Sequence, residues 1–228
     1  MRRDIHLPRL SATPVDSRPF PRSRLESDPL EAASALIGAL LVRDAPGLPL
    51  RVGRIVEVEA YGGPEDLASH ARAGRTPRTS VMFGAAGHAY VYLVYGMHHC
   101  LNVVSGPAGS AGAVLLRAVE PLEGTALMRE ARADAPRAAV DDTKLASGPG
   151  RLCLAFGVDR SQNGLDLCAG TGSLRLERPR HAPETIALAR TPRIGVTYAS
   201  EPWASQAWRV IDRTSAALSG PSSNPRGL

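Results

Sequence analysis

A chain of 228 residues, 43% hydrophobic and 21% charged, can bury a core of its own, which excludes a globally disordered protein and favours one domain of ordinary size. No run approaches about 18 consecutive apolar residues, so no spanning helix is expected, and the amino terminus MRRDIHLPRL lacks the apolar stretch of a secretory signal. The net charge of +5 suggests an anionic partner, yet residues 1–24 carry six Arg against two Asp, so most of that excess lies in the leading segment.

In chain order, residues 1–27, with scattered Arg and four Pro, predict a flexible basic arm; residues 28–218 predict the single folded domain. Asp28-Pro29 opens a helix, because Asp caps and Pro suits the first helical position, and Gly38 stops it. A strand follows over 40–43 and a turn over 44–50. Residues 51–61 (RVGRIVEVEAY) alternate: Val56, Val58 and Ala60 point one way, and Glu57, Glu59 and Tyr61 the other. Residues 62–88 form a long loop carrying Arg72, Arg75 and Arg78. AYVYLVYGMHHCLNVVS then reads as a hairpin turning at Tyr95-Gly96-Met97. An apolar strand over 113–119 is interrupted by Arg117, and a helix is expected over about 122–132. SGPGR (147–151) leads into the short helix LCLAF, which Gly157 ends. Strands are expected over 171–177, 193–198 and 207–212, and residues 219–228 read as a disordered tail. Strands and helices do not alternate regularly. The expected fold is therefore α+β: a single compact domain with a curved, largely antiparallel sheet, flanking helices and a protruding β-hairpin.

Several residues stand out chemically. Glu57 and Glu59 at i, i+2 on a strand would hold carboxyls roughly 6–7 Å apart, near the spacing of an inverting glycosidase, although a solvated strand face gives the same pattern. Arg117 inside an apolar strand needs a carboxylate or a ligand, and Glu59 is a suitable partner. His98-His99-Cys100 lacks metal-ligand spacing, so no metal is expected. Three cysteines without a CxxC pair are too few for a disulfide framework and point to a reducing cytoplasm. The chain has only ten aromatic residues, yet Tyr90, Tyr92 and Tyr95 fall within six positions. A tyrosine at a hairpin tip suits a partner that accepts a flat wedge, such as a base stack. Arginines of the 72–78 loop and the helix start at Gly148–Arg151 would suit phosphates.

GRIVEVEAYGGPEDLASH (53–70), TPRTSVMF (76–83), YVYLVYGMHHCLNVV (90–104), VLLRAVEPLEG (114–124) and SGPGRLC (147–153), in this order, resemble the alkyladenine (3-methyladenine or methylpurine) DNA glycosylase family from about Leu30 to Asp212. The match thins beyond about residue 155. The resemblance implies base excision repair of duplex DNA carrying 3-methyladenine, 7-methylguanine, hypoxanthine or ethenoadenine. In the catalytic centre it puts Glu59 as the base that activates water, with Arg117 and the carbonyl of Ile194 holding that water. Tyr61, His70, Tyr92 and Asn102 fall on the base pocket. Tyr95 falls on the wedge that replaces the flipped nucleotide, with Met97 beside it. Arg75, Thr76, Arg78 and Arg151 are expected at the DNA backbone.

The single lysine, Lys144, lies outside these motifs, so no Schiff base is expected and the enzyme would be monofunctional, leaving an intact abasic site. Neither a cofactor nor an obligate protein partner nor a membrane is implied, and a cytoplasmic, nucleoid-associated monomer is the expectation. Two other readings of the residues stand beside this one: a non-catalytic nucleic-acid-binding module, and a small carbohydrate hydrolase using Glu57 and Glu59.

Overall fold

The structure is a computed structural model and describes residues 16–132, 141–181 and 185–220. In chain order its main elements are β1 (Ser17–Pro19), α1 (Pro29–Leu36), β2 (Leu40–Arg43), β3 (Arg51–Tyr61), β4 (Ala89–Val94), β5 (His98–Ser105), β6 (Gly112–Glu123), α2 (Thr125–Glu130), α3 (Pro149–Phe156), β7 (Leu174–Pro179), β8 (Leu188–Thr191) and β9 (Arg209–Asp212). Among the described residues nine strands join one sheet in the order β1-β7-β2-β3-β6-β5-β4, with β9 paired to β3 and β8 to β9. Every pairing is antiparallel. This is the α+β, largely antiparallel architecture expected. No helix among the described residues is long and apolar enough to cross a membrane.

Local chemistry sets the boundaries. The Asp28 carboxylate accepts the Leu30 N–H at 2.8 Å and Pro29 fills the first helical position, so α1 starts where a cap and a preset φ coincide. It buries Ala32, Ala33 and Leu36, and the chain turns away at Gly38 with φ +83°. Gly157, in the left-handed conformation at φ 59°, closes α3 over buried Leu152, Cys153, Ala155 and Phe156. The main core lies between these helices and one face of the sheet, where Ile55, Val58, Ala60, Leu101, Val103, Val114, Leu116 and Val119 interlock.

The central strand β3 positions the site. Its first half pairs with β2 and its second half with β9 along one edge, while β6 runs along the other. The register to β6 is irregular on both sides of Glu57. Ile55 and Val58 both enter the main core, so the strict alternation of 51–61 breaks once, and Val56 packs instead with Ala118 and Ala217. That local irregularity places Glu57 beside Arg117 rather than on an open face.

Four other expectations are corrected. The segment to residue 27 is not flexible throughout: β1 pairs with β7, Phe20 and Leu25 are buried, and Arg22 Nη2 reaches both carboxylate oxygens of Asp166, at 2.6 and 2.7 Å. Two large apolar side chains and an ion pair hold residues 17–25; residues 1–15 lie outside the described residues. The tail expected from 219 begins too early, because Ser219 is bonded to buried Glu57, while 221–228 are not described. Residues 193–198 form a loop, since Arg193 pairs with Asp66 and Gly195 takes φ +79°, and the strand lies earlier, as β8. The helix expected over 122–132 covers only 125–130, because β6 extends to Glu123 and Gly124 turns the chain at φ 79°.

Candidate active site

The second half of β3, the β4–β5 hairpin, the middle of β6 and the 193–198 loop converge on one open cavity of about 440 Å³. Its walls include Tyr61, His70, Tyr92, Asn102, Arg117 and Ile194, drawn from five separate stretches of chain. Arg78 and Tyr95 reach its rim. Its size is that of a small-molecule site, and its lining combines aromatic faces with a few convergent polar groups.

Glu59 is fully buried beneath this cavity. Its Oε1 accepts the backbone N–H of Ile194 at 2.7 Å and lies 3.2 Å from Arg117 Nη1; its Oε2 accepts the Tyr61 hydroxyl at 2.9 Å. All three of those partners line the cavity, so the carboxylate forms its floor through them. Burial, and then the Glu59 charge, hold the Tyr61 phenol well above its ordinary pKa, so it remains a donor. Arg117 is only 7% exposed and stays charged because its two carboxylate neighbours, Glu59 and Glu57, outweigh the cost of burial. Ile194 engages Glu59 through its N–H, a contact that the sequence did not suggest.

Glu57 does not behave as a second catalytic carboxyl. Burial favours its neutral form, but Arg209, Arg117 and the Ser219 N–H reverse that preference and lower its pKa. All three partners of Glu59 line the cavity, whereas of the partners of Glu57 only Arg117 does, so the two carboxyls do not face one site as a carbohydrate hydrolase would need.

On the opposite wall, His70 lies edge-on to Tyr92 with centroids 4.5 Å apart, and its Nδ1 is 3.0 Å from the Tyr90 hydroxyl. Burial and the nearby Arg78 and Arg72 lower the His70 pKa to about 4, so the ring is neutral at pH 7. Burial raises the Tyr90 phenol pKa, against the opposing charge of Arg78, so the hydroxyl keeps its proton and is a donor within reach of Nδ1. With the Tyr90 O–H donating to Nδ1, Nε2 of the neutral ring carries the proton and is the donor left for the cavity. Asn102 donates its amide to the Tyr90 carbonyl at 3.1 Å, leaving its own carbonyl oxygen as an acceptor. Cys100 lies in the same wall, buried, its thiol pKa raised by burial.

At the hairpin tip Tyr95 is 89% exposed and Met97 70% exposed. Tyr95 and Gly96 both take positive φ, 50° and 71°. For a bulky side chain that conformation is costly, and it holds the ring out at the cavity mouth. The Arg78 guanidinium lies 5.4 Å from the Tyr92 ring centroid. Arg75 is exposed, and Thr76 is tied into a turn by reciprocal hydrogen bonds with Thr79. Arg151 lines a neighbouring cleft with His98 and Arg132, and Arg117 separates that cleft from the main cavity.

Sequence reasoning missed the supports behind these residues. Arg193, buried, lies 4.8 Å from the Tyr61 ring centroid and 5.0 Å from that of Trp208, and is paired to Asp66. Arg209, also buried, pairs with Glu57 from β9. An arginine beside Val-Ile in a short apolar strand was the available signal, the same one that made Arg117 conspicuous.

A family model for methylpurine-DNA glycosylase (MPG) matches residues 23–216. A Myxococcus xanthus protein described as "Putative 3-methyladenine DNA glycosylase" is 49% identical over 200 residues, covering 88% of this chain and 93% of its own. Proteins of the same description from Methanocella arvoryzae and Bacillus cereus are each 45% identical, over 88% and 80% of this chain and 95% and 92% of theirs.

Proposed function

The chain belongs to the methylpurine-DNA glycosylase family, and from that premise we propose that it removes alkylated or deaminated purines from duplex DNA by hydrolysing the N-glycosidic bond. The substrates are 3-methyladenine, 7-methylguanine, hypoxanthine and ethenoadenine. The observation that carries this reading is the fully buried Glu59 held beneath an aromatic cavity by Tyr61, Arg117 and Ile194.

The glycosidic carbon is inaccessible inside a duplex, so the nucleotide must rotate out at an unstacking cost of a few kcal/mol. Tyr95, with Met97 beside it, fills the gap that remains and offsets part of that cost. The extruded purine lies between Tyr61 and Tyr92, where aromatic stacking contributes about 1–3 kcal/mol per base. His70 Nε2–H donates to the base edge, and Asn102 senses its exocyclic group. Arg75, Thr76, Arg78 and Arg151 face the sugar–phosphate backbone, with Arg78 also stacked on Tyr92.

Water held by Arg117 and the Ile194 carbonyl attacks C1′ as Glu59 takes its proton, and the bond to the purine nitrogen breaks with its electron pair leaving on the base. A cationic alkylpurine leaves directly, and a neutral lesion leaves after protonation. Lys144 donates its ammonium to the carbonyls of Ala216 and Leu218, at 2.7 and 3.4 Å, which supports hydrolysis without a Schiff base.

Duplexes with a single hypoxanthine, ethenoadenine or 7-methylguanine test the assignment. The protein should release free base and leave an alkali-labile but uncut strand. Glu59→Gln should bind the lesion without excising it, and full activity in that variant would overturn the mechanism. Strand cleavage without added base would overturn the monofunctional assignment.

A further inference from the structure

Glu57 is as deeply buried as Glu59, and the reaction makes no direct use of it. Its Oε1 accepts from Arg117 Nε at 2.9 Å, Arg209 Nε at 2.8 Å and the Ser219 hydroxyl at 2.8 Å; its Oε2 accepts the Ser219 N–H at 2.6 Å. We propose that Glu57 and Ser219 are positioning residues for Arg117, and that together they present its Nη1 to Glu59.

Three observations carry this. First, each nitrogen of Arg117 has a different partner: Nε has Glu57, Nη1 has Glu59 at 3.2 Å, and Nη2 has the Ser219 hydroxyl at 3.3 Å. A planar guanidinium bound at two corners has its third corner aimed, which a single ion pair would not achieve. Second, Arg209 supplies Glu57 with a cation of its own. Two carboxylates and two guanidiniums then balance in a buried space, so Glu57 can orient Arg117 without withdrawing its charge from Glu59.

Third, Ser219 is held there by the chain around it. Ala217 is buried against Val56 and Ala118, the Ser147 hydroxyl donates to the Leu218 carbonyl at 2.9 Å, and Lys144 binds the Ala216 carbonyl. Side chains from three separate elements thus pin 216–219 under the catalytic floor. Ser219 lies just past residue 216, where the match to the family model ends.

The inference rests on the glycosylase reading of the site, and a mutant cycle separates the two. Single-turnover excision and affinity for a lesion duplex are measured for Glu57→Gln, Ser219→Ala, Arg117→Ala and the two doubles with Arg117→Ala. Ser219→Ala, which removes one hydroxyl from a half-buried residue, should slow excision roughly tenfold, and Glu57→Gln by more, with affinity for the duplex within about twofold of wild type. Each double should be no slower than Arg117→Ala alone, because both residues act through that side chain. Ser219→Thr should restore the rate lost in Ser219→Ala. Losses that multiply with Arg117→Ala, an unimpaired Ser219→Ala, or a parallel loss of affinity and rate would overturn the positioning role. Failure of the wild-type protein to release any base would instead refute the underlying function; if Glu57→Gln does not fold, the Ser219 arm decides alone.

Discussion

Arg193 is locked to Asp66 by two hydrogen bonds, of 2.6 and 3.0 Å, immediately behind the ring of Tyr61. The pair joins residues 127 apart in sequence, and neither side chain is exposed beyond 1%. Arg193 also donates to the carbonyls of Ala60 and Trp203, so one guanidinium ties the end of β3 to the loop that carries Ile194. Two contacts of the proposed catalytic carboxylate, Tyr61 and Ile194, are therefore set by this one buried ion pair.

Removing one partner of such a pair leaves an uncompensated buried charge. Asp66→Asn should destabilise the protein by about 3–5 kcal/mol. For a chain of this length that is a fall in Tm of roughly 10 °C, readable by thermal denaturation. A change below about 1 kcal/mol would show that water or another group satisfies Arg193.

His70 makes a second prediction, one of sign. Its pKa in the folded protein is about 4, against an ordinary value of about 6.5. Between these values the unfolded chain takes up a proton that the folded protein refuses, so stability falls as pH falls through this window. Between pH 7 and pH 5 this amounts to about 2 kcal/mol. His70→Asn should lose that part of the pH dependence in urea unfolding at the two pH values; an unchanged difference would mean that the ring titrates normally.

Much of this architecture was legible from local chemistry. The Asp28-Pro29 start, the stop at Gly38, the strand at 51–61 and the hairpin turning at Tyr95-Gly96 each depend on a few adjacent residues. So did the suspicion that Arg117 needs a carboxylate. What was illegible depends on residues distant in sequence. Nothing near Glu57 announces that Ser219, 162 residues away, caps it. The alternation of 51–61 gave no sign that Val56 would leave the main core, because that follows from an irregular pairing with β6. PRIGV reads as a strand by its apolar residues, yet the pull of Asp66 on Arg193 and the positive φ of Gly195 make it a loop. The residues that touch the cavity carried a sequence signal; those that hold them in place largely did not.

The segment before α1 carries a third prediction. Starting the chain at residue 28 would remove β1, the buried Phe20 and Leu25, and the Arg22–Asp166 pair. Phe20→Ala alone should cost about 3–5 kcal/mol, by the usual penalty of emptying a buried aromatic site. The comparison is made by chemical denaturation of full-length variants. A loss under about 1 kcal/mol would show that residues 17–25 contribute little to the core.

Tyr95 offers the cleanest separation of function from stability. Its ring is 89% exposed and its backbone sits at φ 50°, so the fold gains little from the side chain and strains to display it. Tyr95→Gly removes the ring and accepts positive φ without strain, so the unfolding free energy should change by no more than about 1 kcal/mol in either direction. Capture of the extruded nucleotide should nevertheless suffer, since a stacking contribution of about 1–3 kcal/mol disappears from the flipped state. Affinity for a lesion duplex should therefore fall roughly tenfold or more, while affinity for undamaged DNA, held by phosphate contacts, should change less. A fluorescent base analogue at the lesion position would report the extruded population directly. Unchanged extrusion in Tyr95→Gly would remove the wedge and leave the strained hairpin tip without a function.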